Sequence, residues 1–327
     1  MSRLWQTGPD ATLGQMTDNA FLFAHSPEPT LTVAGAVAAM RDSLARATLD
    51  LSAIEDPSLE TGWRWGDDEA DVRYGLYRCI EAIDETGVEV ARILRATGAH
   101  RTPSAERISG ATTARWDLHG LLATMDSRDL DRHPGATEWT VRETLGHIIS
   151  GQRAYGWYTA WWASRPPGDP VPDSIPSAIV DASGLPDDDT EGSGTLAEVR
   201  ARLDAILDLA AGRSAHLDDQ ELARPARWAG IPVTVGFRLG RWSSHLVEHT
   251  LQIDKTMVML GRAPSEVARL IRLIHAAYGR LEAQVFPIDA SALAVADRRG
   301  RSVDQVLELL AHDLAANARS ARDAAAR

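Results

Sequence analysis

Apolar residues recur at helical spacing along most of the chain, which predicts a succession of amphipathic helices with little room for sheet. Val33, Val37, Met40, Leu44 and Leu51 mark a first helix that should end near Asp56-Pro57. Val72, Leu76, Cys79, Ile80, Ile83, Val90 and Leu94 mark a second, stopping at Thr97-Gly98, where glycine can take the left-handed cap. A third is expected from about Ser104 to Met125. The fourth opens at Thr140 and Glu143, spaced as a capping box, and must end before Pro166. A second capping box, Thr195 with Glu198, starts a fifth helix carrying Val199, Leu203, Ile206 and Leu209. The next contains residues 241–254 and closes at Gly261; the last two cover about Ser265 to Val285 and Ser302 to Ala325. Residues 62–66, 166–194 and 228–234 read as loops, and residues 1–30 keep no steady period and are expected to be irregular.

Thr140-Val-Arg-Glu-Thr-Leu and Ser302-Val-Asp-Gln-Val-Leu echo each other, a faint internal repeat in which Leu309 stands where His147 stands. The helix pairs at 31–98 and 263–327 are each amphipathic and too small to bury an apolar stripe alone. They are expected to pack together as a second, degenerate bundle beside a central bundle at 104–262.

Composition supports an all-α chain, with Ala, Leu, Arg, Asp and Glu abundant and β-branched runs scarce. A net charge of -12 argues against nucleic acid as a partner, since phosphate backbones call for a basic face. Basic residues are arginine apart from Lys255, the bias of a GC-rich, actinobacterial kind of genome. The N-terminus lacks the apolar core of a signal peptide, and no apolar run approaches the ~18 residues of a membrane span. A cytoplasmic protein acting on a small molecule, with no membrane partner, is the expectation.

Cys79 is the only cysteine, so any bound metal must be held by His, Asp or Glu. His245 and His249 are four residues apart in a helical pattern and share one face, with Gln252 and Trp242 a turn away. Two neutral imidazoles at that spacing can grip a divalent metal. His147 lies early in a helix two elements before, and in an up-down-up-down bundle those two helices run parallel, which allows all three rings to meet. Three nitrogen ligands with one open position is the pattern of a catalytic zinc.

The stretches Trp139-Thr-Val-Arg-Glu-Thr-Leu-Gly-His147 and His245-Leu-Val-Glu-His249-Thr-Leu-Gln252 resemble the DinB family, which includes mycothiol-dependent maleylpyruvate isomerases and bacillithiol transferases. The resemblance covers about Ser104 to Gly261. It implies an up-down-up-down four-helix bundle whose metal is held by His147, His245 and His249, zinc or alternatively nickel, with mycothiol or a similar thiol as co-substrate. The implied function is metal-dependent transfer of that thiol to a small electrophile, or thiol-dependent isomerisation. A zinc hydrolase and a non-enzymatic metal or ligand-binding module are the alternatives.

Gln252 and Glu248 are candidates for orienting an imidazole, and Trp242 for flanking the site. Arg153, Arg238 and Arg241 are candidates for holding a substrate carboxylate. Tyr155, Trp157, Trp161 and Trp162 read as packing. A monomer is expected if the terminal pairs form a pseudo-partner bundle, and a homodimer otherwise.

Overall fold

The computed structural model describes residues 33–327, so the expectation for 1–30 lies outside the described residues. Among the described residues the chain is all-α apart from two short hairpins. In order, it forms α1 (Gly35–Ser52), the hairpin β1 (Gly62–Trp65) and β2 (Asp68–Asp71), α2 (Val72–Thr97), α3 (Pro103–Leu122) and α4 (Val141–Ala163). There follow α5 (Ser177–Ser183), α6 (Asp188–Gly192), α7 (Leu196–Ser214) and α8 (Asp219–Leu222). The hairpin β3 (Pro225–Trp228) and β4 (Ile231–Thr234) leads into α9 (Val235–Met259), then α10 (Glu266–Val285), α11 (Ala290–Leu293) and α12 (Val303–Ala325). No helix among the described residues is long and apolar enough to cross a membrane.

Three stretches expected as loops are corrected. Residues 62–66 and 228–234 are strands of antiparallel hairpins, paired Gly62 with Asp71 and Pro225 with Thr234. Each strand spans only four residues and turns through Gly66 or Ala229-Gly230 at positive φ, too short to leave an alternating apolar signature. The span 166–194 contains α5 and α6, helices too short for a 3.6-residue period to register.

The chain divides into two compact units. One unit comprises residues 33–101, 108–141 and 246–327 of the described chain. Its core joins Met40, Leu44 and Leu51 of α1 with Leu76, Ile83 and Val90 of α2, Ile271, Ile274 and Leu281 of α10, and Leu307, Leu310 and Leu314 of α12. These positions recur every three or four residues, so each helix turns one apolar stripe inward. Within this core Glu282 is buried between the guanidinium groups of Arg41 and Arg115. Cys79 is buried too, and desolvation pushes its thiol up to about 12, which leaves it a packing residue.

The other unit comprises 102–107 and 142–245. It buries Ile148, Ile149, Trp157, Trp161 and Trp162 of α4, Val199, Leu203, Ile206 and Leu209 of α7, and Leu239 and Trp242 of α9. The Thr195–Glu198 and Ser302–Gln305 capping boxes both form.

The faint repeat extends through the described chain. The succession helix, hairpin, helix, helix, helix occurs first as α1 to α4 and again as α7, β3–β4, α9, α10 and α12. Leu59 and Leu222, Trp65 and Trp228, and the left-handed caps Gly98 and Gly261 each stand 163 residues apart. Asp71 and Thr234 stand in the same relation, each accepting the amide of the residue three further on, Tyr74 and Phe237. Val72 and Val235 each donate to a carbonyl eleven residues before, Thr61 and Arg224. Arg78 lies over the Trp65 ring at 4.1 Å, and Arg241 lies over Trp228 at 5.2 Å. The core of the first unit thus combines the opening pair of the first copy, α1 and α2, with the closing pair of the second, α10 and α12.

Candidate metal centre

His147 sits in the second turn of α4, and His245 and His249 are one turn apart on α9. Four residues at 3.6 per turn put both α9 imidazoles on one face. The Nε2 atoms of His147 and His245 are 3.4 Å apart, and a ring nitrogen from each of the three histidines lies within 4.8 Å of the others. Two ligands bonded to zinc at about 2.0–2.1 Å with a tetrahedral angle between them are about 3.3–3.4 Å apart, so the His147–His245 pair already has the right bite. Room for that approach comes from Gly151, where a Cβ would stand 2.6 Å from Cε1 of His245.

Each imidazole is held from its other side. Nδ1 of His147 faces Oδ2 of Asp188 at 2.9 Å, and Nδ1 of His249 faces Oε1 of Gln252 at 2.7 Å. A carboxylate and an amide oxygen only accept, so both Nδ1 atoms donate, and in the neutral imidazole Nε2 is then the atom that offers a lone pair. Nδ1 of His245 lies 3.4 Å from Nε2 of Gln152, whose own Oε1 is buried without a partner. A lone pair on His147 Nε2 at this distance from His245 Nε2 calls for a proton or a cation between them. The donor set is all-nitrogen, which suits zinc, nickel, copper or iron better than magnesium or calcium. His245 and His249 are buried, while the His147 side chain remains 33 % exposed and gives the site its open side.

Asp188 belongs to a segment fastened to α4. Arg153 forms a buried ion pair with Glu191, Arg142 donates to the carbonyls of Gly192 and Gly194 at 2.7 Å each, and Arg202 donates to the carbonyl of Glu191. Gly146 lets the backbone come close: a Cβ there would stand 2.2 Å from the carbonyl oxygen of Asp188. Arg153, a candidate for a substrate carboxylate, is thus paired with Glu191 of this segment.

The remaining candidates separate by position. Glu248 is exposed. The Trp242 side chain is buried, and it is its carbonyl that accepts from Gln152 at 3.0 Å. Arg241 is half-buried over Trp228. Arg238 is buried, with Trp228 and Tyr158 beside its guanidinium. Tyr155, read from the sequence as packing, turns out to border the centre, its ring edge-on to His245 at 5.0 Å. Asp188 and Gln152 carried no signal in the sequence. Asp188 is one of three consecutive aspartates in an apparent loop, and Gln152 lies five positions past His147, where helical spacing does not single it out.

A cleft of about 320 Å³ is lined in part by Asp126, Asp129, Asp254, Arg262 and Arg272, and by none of the three histidines. Two of its arginines are already matched, Arg262 to Asp129 and Arg272 to Asp117 and Asp254.

No curated protein and no solved structure matches the chain significantly. Residues 111–253 match the family model described as DinB superfamily. That segment includes His147, His245, His249, Gln252 and Asp188. Through residues 111–253, the chain is similar to the DinB superfamily.

Proposed function

We propose that the protein transfers a low-molecular-weight thiol, such as mycothiol, to a small electrophilic substrate at a divalent metal, preferably zinc, held by His147, His245 and His249. The observation that carries this reading is the convergence of three imidazole nitrogens within 4.8 Å, two of the rings having Nδ1 tied to Asp188 and Gln252. When bound, the metal would supply a Lewis acid that lowers the pKa of a coordinated thiol into the neutral range.

The protein's own groups have simpler tasks. Asp188 and Gln252 hold His147 and His249 in the tautomer that offers Nε2. Tyr155 and the buried faces of His245 and His249 keep water from one side, and the exposed edge of His147 leaves an approach for two reactants. The acid placed on the histidines, Asp188, is occupied at Nδ1 of His147, on the side of the ring away from Nε2. A nucleophile that needs no separate base, as a thiolate does, suits that arrangement better than water does.

The test is cobalt substitution. A thiolate-to-cobalt charge-transfer band should appear when mycothiol or a simpler thiol is added, and His147→Ala should abolish both band and turnover. Product formation at an undiminished rate with no thiol present would overturn the transferase reading in favour of hydrolysis.

A further inference from the structure

Arg238 is held at a cost that its surroundings offset only in part. It is 4 % exposed and lies in the first turn of α9, where the positive end of the helix dipole disfavours a cation. Nη1 donates to the carbonyl of Arg227 at 2.5 Å, while Nε is buried without a partner. No carboxylate pairs with it among the described residues. Burial pulls its guanidinium down to about 10, against the phenols of Tyr155 and Tyr158. The Trp228 ring at 5.2 Å and the Tyr158 ring at 5.9 Å give partial compensation. An uncompensated buried charge of this kind is destabilising.

The internal repeat separates what the scaffold needs from what the site needs. The stacked pair Arg241–Trp228 has its counterpart in Arg78–Trp65, so that contact belongs to the hairpin in both copies. In the same register Arg238 corresponds to Gly75, His245 to Ala82 and His249 to Thr86, and Leu309 stands for His147 at a spacing of 162. Arg238 thus accompanies the His245–His249 pair of the second copy, and Gly75 stands with Ala82 and Thr86 in the first. Its location agrees: Tyr155 packs on Trp228 and on His245, with ring centroids 5.0 Å away in each case.

We infer that Arg238 anchors an anion subsite next to the histidines, taking the carboxylate of a small organic ligand, with Trp228 and Tyr155 flanking the group that carries it. A carboxylate would pair with the guanidinium, satisfy Nε and neutralise the charge at the helix N-terminus. That this ligand is the electrophilic substrate rests on the reading of the centre given above; the subsite itself does not.

The experiment is titration of the metal-free full-length protein with benzoate, followed by tryptophan fluorescence and calorimetry, with benzamide as the uncharged control. It needs neither thiol nor turnover, so its outcome is independent of the transferase reading. Benzoate should bind and benzamide should not. Arg238→Met should weaken benzoate by about 10 to 100-fold, the loss expected for hydrogen bonds to a charged group. Arg238→Lys should recover part of the affinity, and Arg78→Met should leave it unchanged. Arg238→Met should also melt no lower than the wild type, because the substitution removes an unpaired buried charge. Benzoate binding equally to wild type and Arg238→Met, or to neither, overturns the subsite. A lower melting temperature with unchanged benzoate binding overturns it as well, and assigns Arg238 to the scaffold.

Discussion

Asp188 lies 2.9 Å from Nδ1 of His147, forty-one residues earlier in the chain, and accepts its hydrogen. Partners of this kind fix the orientation and basicity of a metal-binding imidazole, and their loss costs about 10 to 100-fold in affinity. Asp188→Ala is expected to weaken zinc binding by that factor in competition with a chromophoric chelator. Asp188→Asn, which retains an acceptor oxygen, should lose less. Unchanged affinity in both variants would remove Asp188 from the centre.

Gly146 makes this contact possible, since a Cβ there would stand 2.2 Å from the Asp188 carbonyl oxygen. Gly146→Ala should displace the segment 187–194 at a cost of about 1 to 3 kcal/mol. Hydrogen exchange confined to that segment should rise, and zinc affinity should fall alongside it. Exchange and affinity both equal to wild type would show that the backbone can move aside freely.

The α9 histidines are tested by composition. Wild type should carry one divalent metal per chain and His249→Ala little, by elemental analysis. Gln252→Ala, which removes the acceptor 2.7 Å from Nδ1 of His249, should lower affinity by about 10 to 100-fold without abolishing binding. Equal metal in wild type and His249→Ala would exclude His249 as a ligand.

Glu282 gives the fold a defined acid response. Burial by itself would raise its pKa, but Arg115 and Arg41 outweigh burial and hold it down at about 2. A carboxyl group depressed in the folded state contributes stability that is fully present above its unfolded pKa, near 4.5, and is lost as pH falls toward 2. Urea midpoints of the wild type should fall across that window. Glu282→Gln should be less stable at pH 7 by about 3 to 5 kcal/mol, because it removes the carboxylate that faces the buried Arg115 and the half-buried Arg41, and its midpoint should vary less with acid. Parallel pH curves for the two proteins would show that other carboxyl groups carry the acid response.

The sequence by itself determined the helices and the identity of the histidines. An amphipathic helix writes its burial into the chain every three or four residues, and so does an HxxxH pair, because both depend only on local geometry. His245 and His249 share a face whatever surrounds them. The hairpins at 62–71 and 225–234 and the short helices at 177–183 and 188–192 were missed for the converse reason, being too short to complete a period. The tertiary structure alone decided what stands behind each imidazole, and which arginines keep a charge to spare. Asp188 comes to His147 through Gly146 and the clamps on residues 191–194, contacts between distant segments that no spacing encodes. Arg153, Arg241 and Arg238 look alike in sequence; packing gives the first an acid, stacks the second on Trp228, and leaves the third buried without a counter-ion.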